Sequence, residues 1–150
     1  MSPLALAAFC LLLALAAASD IARYRIPNPL CVALAVGALI LAFPHDLSEG
    51  LSRGASLLLI GGAALGLYLG GLLGGGDAKL LMAAALWMPV QSLPAFLTAL
   101  AVAGGVQAGV VLAARAAAGP DLPRRGARMP YGVSIAAAGF VWALLQWSAA

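Results

Sequence analysis

Residues 80–114 read LLMAAALWMPVQSLPAFLTALAVAGGVQAGVVLAA, 35 positions without one charged side chain. A helix needs about 20 apolar residues to cross a hydrocarbon layer of about 30 Å. The stretch is too long for one crossing and only just long enough for two. Pro89 and Pro94, flanking Val90-Gln91-Ser92-Leu93, supply a turn that would divide it, because proline breaks a helical ladder. Four further uncharged runs, 1–19, 26–44, 54–76 and 129–150, hold 19, 19, 23 and 22 residues, enough for one crossing each. The expected fold is all-α and integral to the membrane: a single-domain bundle of six transmembrane helices over residues 1–150, joined by short loops.

Composition excludes the alternatives. Hydrophobic residues make up 64% of the 150 positions and charged ones 9%, and the mean hydropathy is +1.05. A soluble domain carries about 45–50% apolar and about 25% charged residues, so a soluble enzyme, a nucleic-acid binder and a disordered chain are all ruled out. The partner implied at this level is membrane lipid, and the pI of 9.3 reflects topology and anionic headgroups.

Charge distribution tests the count of crossings. With six alternating spans, Arg23, Arg25, Lys79, Arg115, Arg124, Arg125 and Arg128 fall on one side and only Arg53 on the other. Such an excess marks the cytoplasmic side, which leaves both termini outside. Lys79 and Arg115 share a side only if an even number of spans separates them, which supports the division between Pro89 and Pro94. Leu11 to Ala18 followed by Ser19 imitates a signal-peptide core, but the basic residues follow the apolar run instead of preceding it, so cleavage there is not expected.

Chemistry must then come from very few side chains. Of five carboxylates, Asp20 directly follows the first run and Asp77 follows Gly74-Gly75-Gly76 at the end of the third. Spans one and three run in the same direction, so both aspartates are expected at the same cytoplasmic depth. Ionisable groups at such a boundary are costly unless they face a wet cavity or a partner. The glycines would let the backbone depart from helical geometry and approach another chain closely. Gly62, Gly66, Gly70 and Gly74 recur every four residues, a stripe that suits tight helix packing. Two aspartates in one pocket suit aspartic protease chemistry, in which like charges share a proton and divide the work of base and acid. No Ser-His or Cys-His set is available, since the single His45 falls on the opposite side. Cys10 and Cys31 read as small packing residues, and no metal or cofactor site is expected.

Three segments then carry a family resemblance. Asp20-Ile21-Ala22-Arg23-Tyr24-Arg25-Ile26-Pro27-Asn28 resembles the first-aspartate motif of type IV prepilin peptidases. Gly74-Gly75-Gly76-Asp77-Ala78-Lys79-Leu80 is similar to their G-x-G-D-x-K motif. Met129-Pro130-Tyr131-Gly132-Val133-Ser134-Ile135-Ala136 resembles their third segment, a P-Y-G that opens the last helix. All three occur in family order. The resemblance implies an aspartic endopeptidase of the bacterial inner membrane with Asp20 and Asp77 as the catalytic pair. It also implies supporting roles for Arg25, Pro27, Asn28, Gly74, Gly76, Lys79, Pro130, Tyr131 and Gly132. The implied substrate is a prepilin or pseudopilin, a single apolar helix behind a short basic leader that is cut at the cytoplasmic face. The larger members carry a tetracysteine segment and methylate the new N-terminus. This chain lacks that segment and resembles the short tight-adherence, Flp-type form, so methylation is not expected. Presenilin-like proteases share G-x-G-D but differ in size and in the third motif.

Residue chemistry alone also assigns plainer roles. Asn28 with Pro29 reads as a helix start, Asn capping and Pro in the first position. Arg23, Arg25 and Lys79 read as topology anchors, and Pro120 and Pro123 with Arg124, Arg125 and Arg128 as a basic orienting loop. The rival function is non-catalytic, either a secretion scaffold or a small proton-coupled transporter. It is disfavoured by the absence of a recognisable internal repeat and by two aspartates at one face instead of mid-membrane.

Overall fold

The computed structural model describes residues 1–118 and 129–148, and every regular element among them is helical. In chain order these are α1 (Pro3–Arg23), α2 (Asn28–Leu41), α3 (Leu47–Leu69), α4 (Gly75–Ala85), a 3₁₀ turn (Val90–Ser92), α5 (Leu93–Ala118) and α6 (Tyr131–Ser148). The apolar run 80–114 is broken by the 3₁₀ turn between Pro89 and Pro94, where its length calls for a division. The basic loop with Arg124, Arg125 and Arg128 lies outside the described residues, as does the side chain of Arg115.

Among the described residues, three segments are long and apolar enough to cross a membrane: Pro3–Arg23, Leu47–Leu69 and Val90–Ala114. Helix α2 has 14 residues and α4 has 11, which at 1.5 Å per residue gives about 21 Å and about 16 Å. The third expected span, 54–76, is displaced toward the N-terminus. Helix α3 starts at Leu47, because Asp46 caps it by accepting the N–H of Glu49 at 2.7 Å and the hydroxyl of Ser48 at 2.8 Å. It stops at Leu69, because Gly70 caps it and Gly71 adopts a φ of 71°, a conformation that glycine takes without a steric cost. Gly75, Gly76 and Asp77 therefore begin α4 instead of closing α3.

Helix α1 packs on α2 and α6, α4 packs on α2, α3 and α6, and α5 lies against α6. At the centre, the Phe9 ring sits 5.1 Å from Trp87 and 5.2 Å from Trp142, tilted to one and edge-on to the other. The Trp87 indole donates to the Leu34 carbonyl at 2.8 Å. Outer positions such as Leu58, Leu69 and Leu144 are as apolar as the interior. In a lipid environment hydrophobicity therefore cannot choose which face turns inward, and close packing decides. Small residues make it possible: a Cβ on Gly37 would lie 3.0 Å from the Trp87 ring, and one on Gly139 would collide with Leu13.

The glycine stripe does not act as expected. A Cβ on Gly62 or Gly66 would meet nothing within 4 Å, Gly70 and Gly74 cap helices, and Gly61 is the residue that faces Met82 of α4 at 3.5 Å. A four-residue repeat says which residues share a face but not which face meets a neighbour. Arg53 lies within α3. It is buried, with its guanidinium donating to the Ala42 carbonyl and paired with Glu49. Ser52 beside it accepts the Val90 N–H at 2.9 Å and donates to Gln91 at 2.9 Å. These contacts gather the end of α2, the start of α3 and the 3₁₀ turn at one end of the bundle. The end of α1 and the starts of α2, α4 and α6 gather at the other.

Candidate active site

Asp20 lies in the last turn of α1, which is closed by Tyr24 in the left-handed region (φ 50°, ψ 37°), its N–H donating to the Asp20 carbonyl at 2.7 Å. A non-glycine residue there costs about 1–2 kcal/mol, and the surrounding link sets it firmly. Ser19 donates its hydroxyl to the Arg25 carbonyl at 2.9 Å, Ile26 is buried, and Pro27 in an extended conformation caps α2. This turn aims the Asp20 side chain back into the bundle, where the residue is 5% exposed. Its Oδ2 accepts the backbone N–H of Gly132 at 2.8 Å. Gly132 stands in the first turn of α6, where N–H groups have no partner within the helix.

Asp77 occupies the first turn of α4, where the helix dipole favours a carboxylate. The three glycines before it stand close to this chain's own residues. A Cβ on Gly74 would lie 2.7 Å from Asp77 Oδ2, one on Gly75 3.2 Å from the Tyr68 ring, and one on Gly76 3.3 Å from Ile26 Cβ. Ile26 is also 3.2 Å from where a Cβ on Gly132 would be. The isoleucine is thus a wedge that α4 and α6 both approach through a glycine.

Asp20 and Asp77 line one cavity of about 250 Å³, with Tyr24, Arg25, Ile26, Asn28 and the Gly74–Gly76 backbone completing its wall. A water molecule occupies about 30 Å³ of liquid, so the space holds several waters or a short piece of peptide backbone. Lys79 donates to Asn28 Oδ1 at 3.1 Å, tying the start of α4 to the start of α2. Asn28 makes no capping bond, because Pro27 takes the cap position and its amide is engaged by Lys79. Asn28 and Lys79 also border an apolar groove of about 420 Å³ between α2 and α4, lined by Val32, Ala35, Met82 and Leu86.

Of the residues singled out from sequence, Asp20, Arg25, Asn28, Gly74, Gly76 and Asp77 thus share the cavity, and Gly132 reaches it through its hydrogen bond. Lys79 and Pro27 hold its frame. Pro130 gives its carbonyl to Gln107 of α5, and Tyr131 is 39% exposed and outside the cavity lining. Tyr24, Ile26 and Gln107 were not anticipated. Gln107 had a signal, as a side-chain amide in the middle of an apolar run. Tyr24 and Ile26 had none beyond their place in the first motif.

Residues 7–109 match the model of the type IV leader peptidase family. The match takes in both aspartates and the glycine segment and ends before α6. No curated protein and no solved structure matches the chain. Because the matched residues make up well over half of its 150 positions, the chain belongs to the type IV leader peptidase family.

Proposed function

We propose that the protein is a membrane-embedded aspartic endopeptidase that cuts the basic leader from Flp-type prepilins at the cytoplasmic face of the bacterial inner membrane. The observation that carries this is the cavity shared by Asp20 and Asp77, in a chain of the leader peptidase family. Its chemistry needs two carboxylates and a water. One carboxylate, ionised, takes a proton from water as the oxygen attacks the scissile carbonyl carbon. The other, protonated, gives its proton to the carbonyl oxygen. As the gem-diol collapses and the C–N bond breaks, the first carboxyl passes the proton it took from water to the nitrogen. The second recovers a proton from a gem-diol hydroxyl, so an acid and an amine leave and the pair is restored. Asp20 and Asp77 divide these two duties between them.

In this proposal the chain passes from one side to the other six times, with both termini outside. The short helices α2 and α4 cross together with the turns that flank them. Arg23, Arg25 and Lys79 lie at the cavity end of the bundle and Arg53 at the opposite end, which agrees with a cytoplasmic cavity. The apolar groove, bordered by Asn28 and Lys79 at the cavity rim, suits the apolar helix that follows a leader.

The test is direct. The protein in bilayers, given a peptide with a basic leader ahead of one apolar helix, is expected to yield two fragments by mass spectrometry, cut at the leader–helix junction. An intact peptide would count against the proposal.

A further inference from the structure

Gln107 lies in α5, away from the two aspartates, yet both ends of its amide are committed to the start of α6. Its Nε2 donates to the Pro130 carbonyl at 3.0 Å, and its Oε1 accepts the hydroxyl of Ser134. Ser134 is buried, at 2% exposed. The two partners stand two residues before and two residues after Gly132, whose N–H reaches Asp20. One side chain therefore straddles the residue that contacts the carboxylate. Gln107 itself is half-buried, and a buried polar group that loses its partner costs about 1–3 kcal/mol. The latch therefore ties the first turn of α6 to α5, beside the contacts that α6 makes with α1 through Gly132, Gly139 and Trp142.

We infer that Gln107 is a positioning residue: it fixes the first turn of α6 so that the Gly132 N–H stays on Asp20. The functional part of this inference rests on the proteolytic reading above, but the positional part does not, and a test can separate them. Tyr131-Gly132 is the sequence's one Tyr–Gly pair. Labelling tyrosine with carbonyl ¹³C and glycine with ¹⁵N therefore gives a single NMR cross-peak for the Gly132 amide in the full-length protein. Asp20→Ala, which lacks the acceptor, gives the position of that peak without the bond. Gln107→Leu, similar in volume and without the amide, is expected to move the amide proton upfield most of the way to the Asp20→Ala position. It is also expected to lower kcat about 10- to 100-fold, as small misplacements do, with KM changed less than about twofold because substrate binding is untouched. A peak at the wild-type position overturns the inference. So does a displaced peak with unchanged kcat, or a fall in kcat without displacement, which would mark a packing role alone. Should Gln107→Leu fail to accumulate, Ser134→Ala, which removes one of the two contacts, is read in the same way and should show a smaller displacement in the same direction. If the wild-type protein cuts nothing, the proteolytic proposal falls and the cross-peak alone decides whether the latch exists.

Discussion

The backbone N–H of Gly132 donates to Oδ2 of Asp20 at 2.8 Å, joining the start of α6 to the end of α1 across 112 positions of sequence. The contact needs a residue without a side chain. A Cβ on Gly132 would stand 2.9 Å from that same oxygen, 3.1 Å from Asp20 Cβ and 3.2 Å from Ile26 Cδ1. Glycine here serves a close approach and not an unusual backbone, since the positive-φ glycine among the described residues is Gly71.

Gly132→Ala is therefore expected to push α6 off Asp20 and to lower kcat at least about 10-fold, on the scale of sub-ångström to ångström displacements of a catalytic group. Gly76→Ala, whose Cβ would sit at 3.3 Å from Ile26 Cβ and within 3.7 Å of the Ile26 backbone, should lose less, because the helix start can give by a few tenths of an ångström. Steady-state cleavage by both variants, at matched levels of folded protein, checks the order.

The aromatic centre predicts stability instead of rate. Phe9 is fully buried between Trp87 and Trp142. Phe9→Ala should cost about 3–5 kcal/mol and lower the melting temperature in detergent by many degrees. Leu58→Ala, on an outward face at 77% exposure, should leave it nearly unchanged. Equal melting temperatures for the two variants would contradict the packing of Phe9 against Trp87 and Trp142.

Much of this was legible in the sequence because charge is so scarce. In a chain this apolar, Asp20 and Asp77 stand out simply by being affordable only in a wet or partnered place, and Pro89 and Pro94 mark the one break in a run too long for a single helix. The ends of α3 were not legible. A charged residue does not end a helix: Glu49 lies in the first turn of α3, and Arg53 is buried against the Ala42 carbonyl. What ended it was the Gly70–Gly71 geometry. The starts of α4 and α6 depend on Ile26, which only three dimensions bring to Gly76 and Gly132. Gln107 needed partners 23 and 27 positions away, beyond any local pattern.

The far end of the bundle offers a pH test. Hydrogen bonds from the Glu49 N–H first and the Ser48 hydroxyl second hold the Asp46 carboxyl below its ordinary value. A value lowered by folding adds stability that is fully present above the unfolded value of about 3.9 and fades as pH falls through the folded one. Asp46→Ala should therefore lower the melting temperature at pH 7, and its gap to the wild type should narrow as pH drops below about 4. A gap independent of pH would mean the carboxylate does not cap α3.

Asp20 and Asp77 are proposed to act together on one peptide bond. The most direct measurement is cleavage of a co-expressed prepilin by Asp20→Asn and by Asp77→Asn, with Asp46→Asn as the control carboxylate. Base and acid have separate duties in one transition state, so neither aspartate can stand in for the other. Each active-site variant should accumulate at the wild-type level and leave the leader uncut, while Asp46→Asn cuts normally. Cleavage at near wild-type rate by either Asp20→Asn or Asp77→Asn would contradict the account.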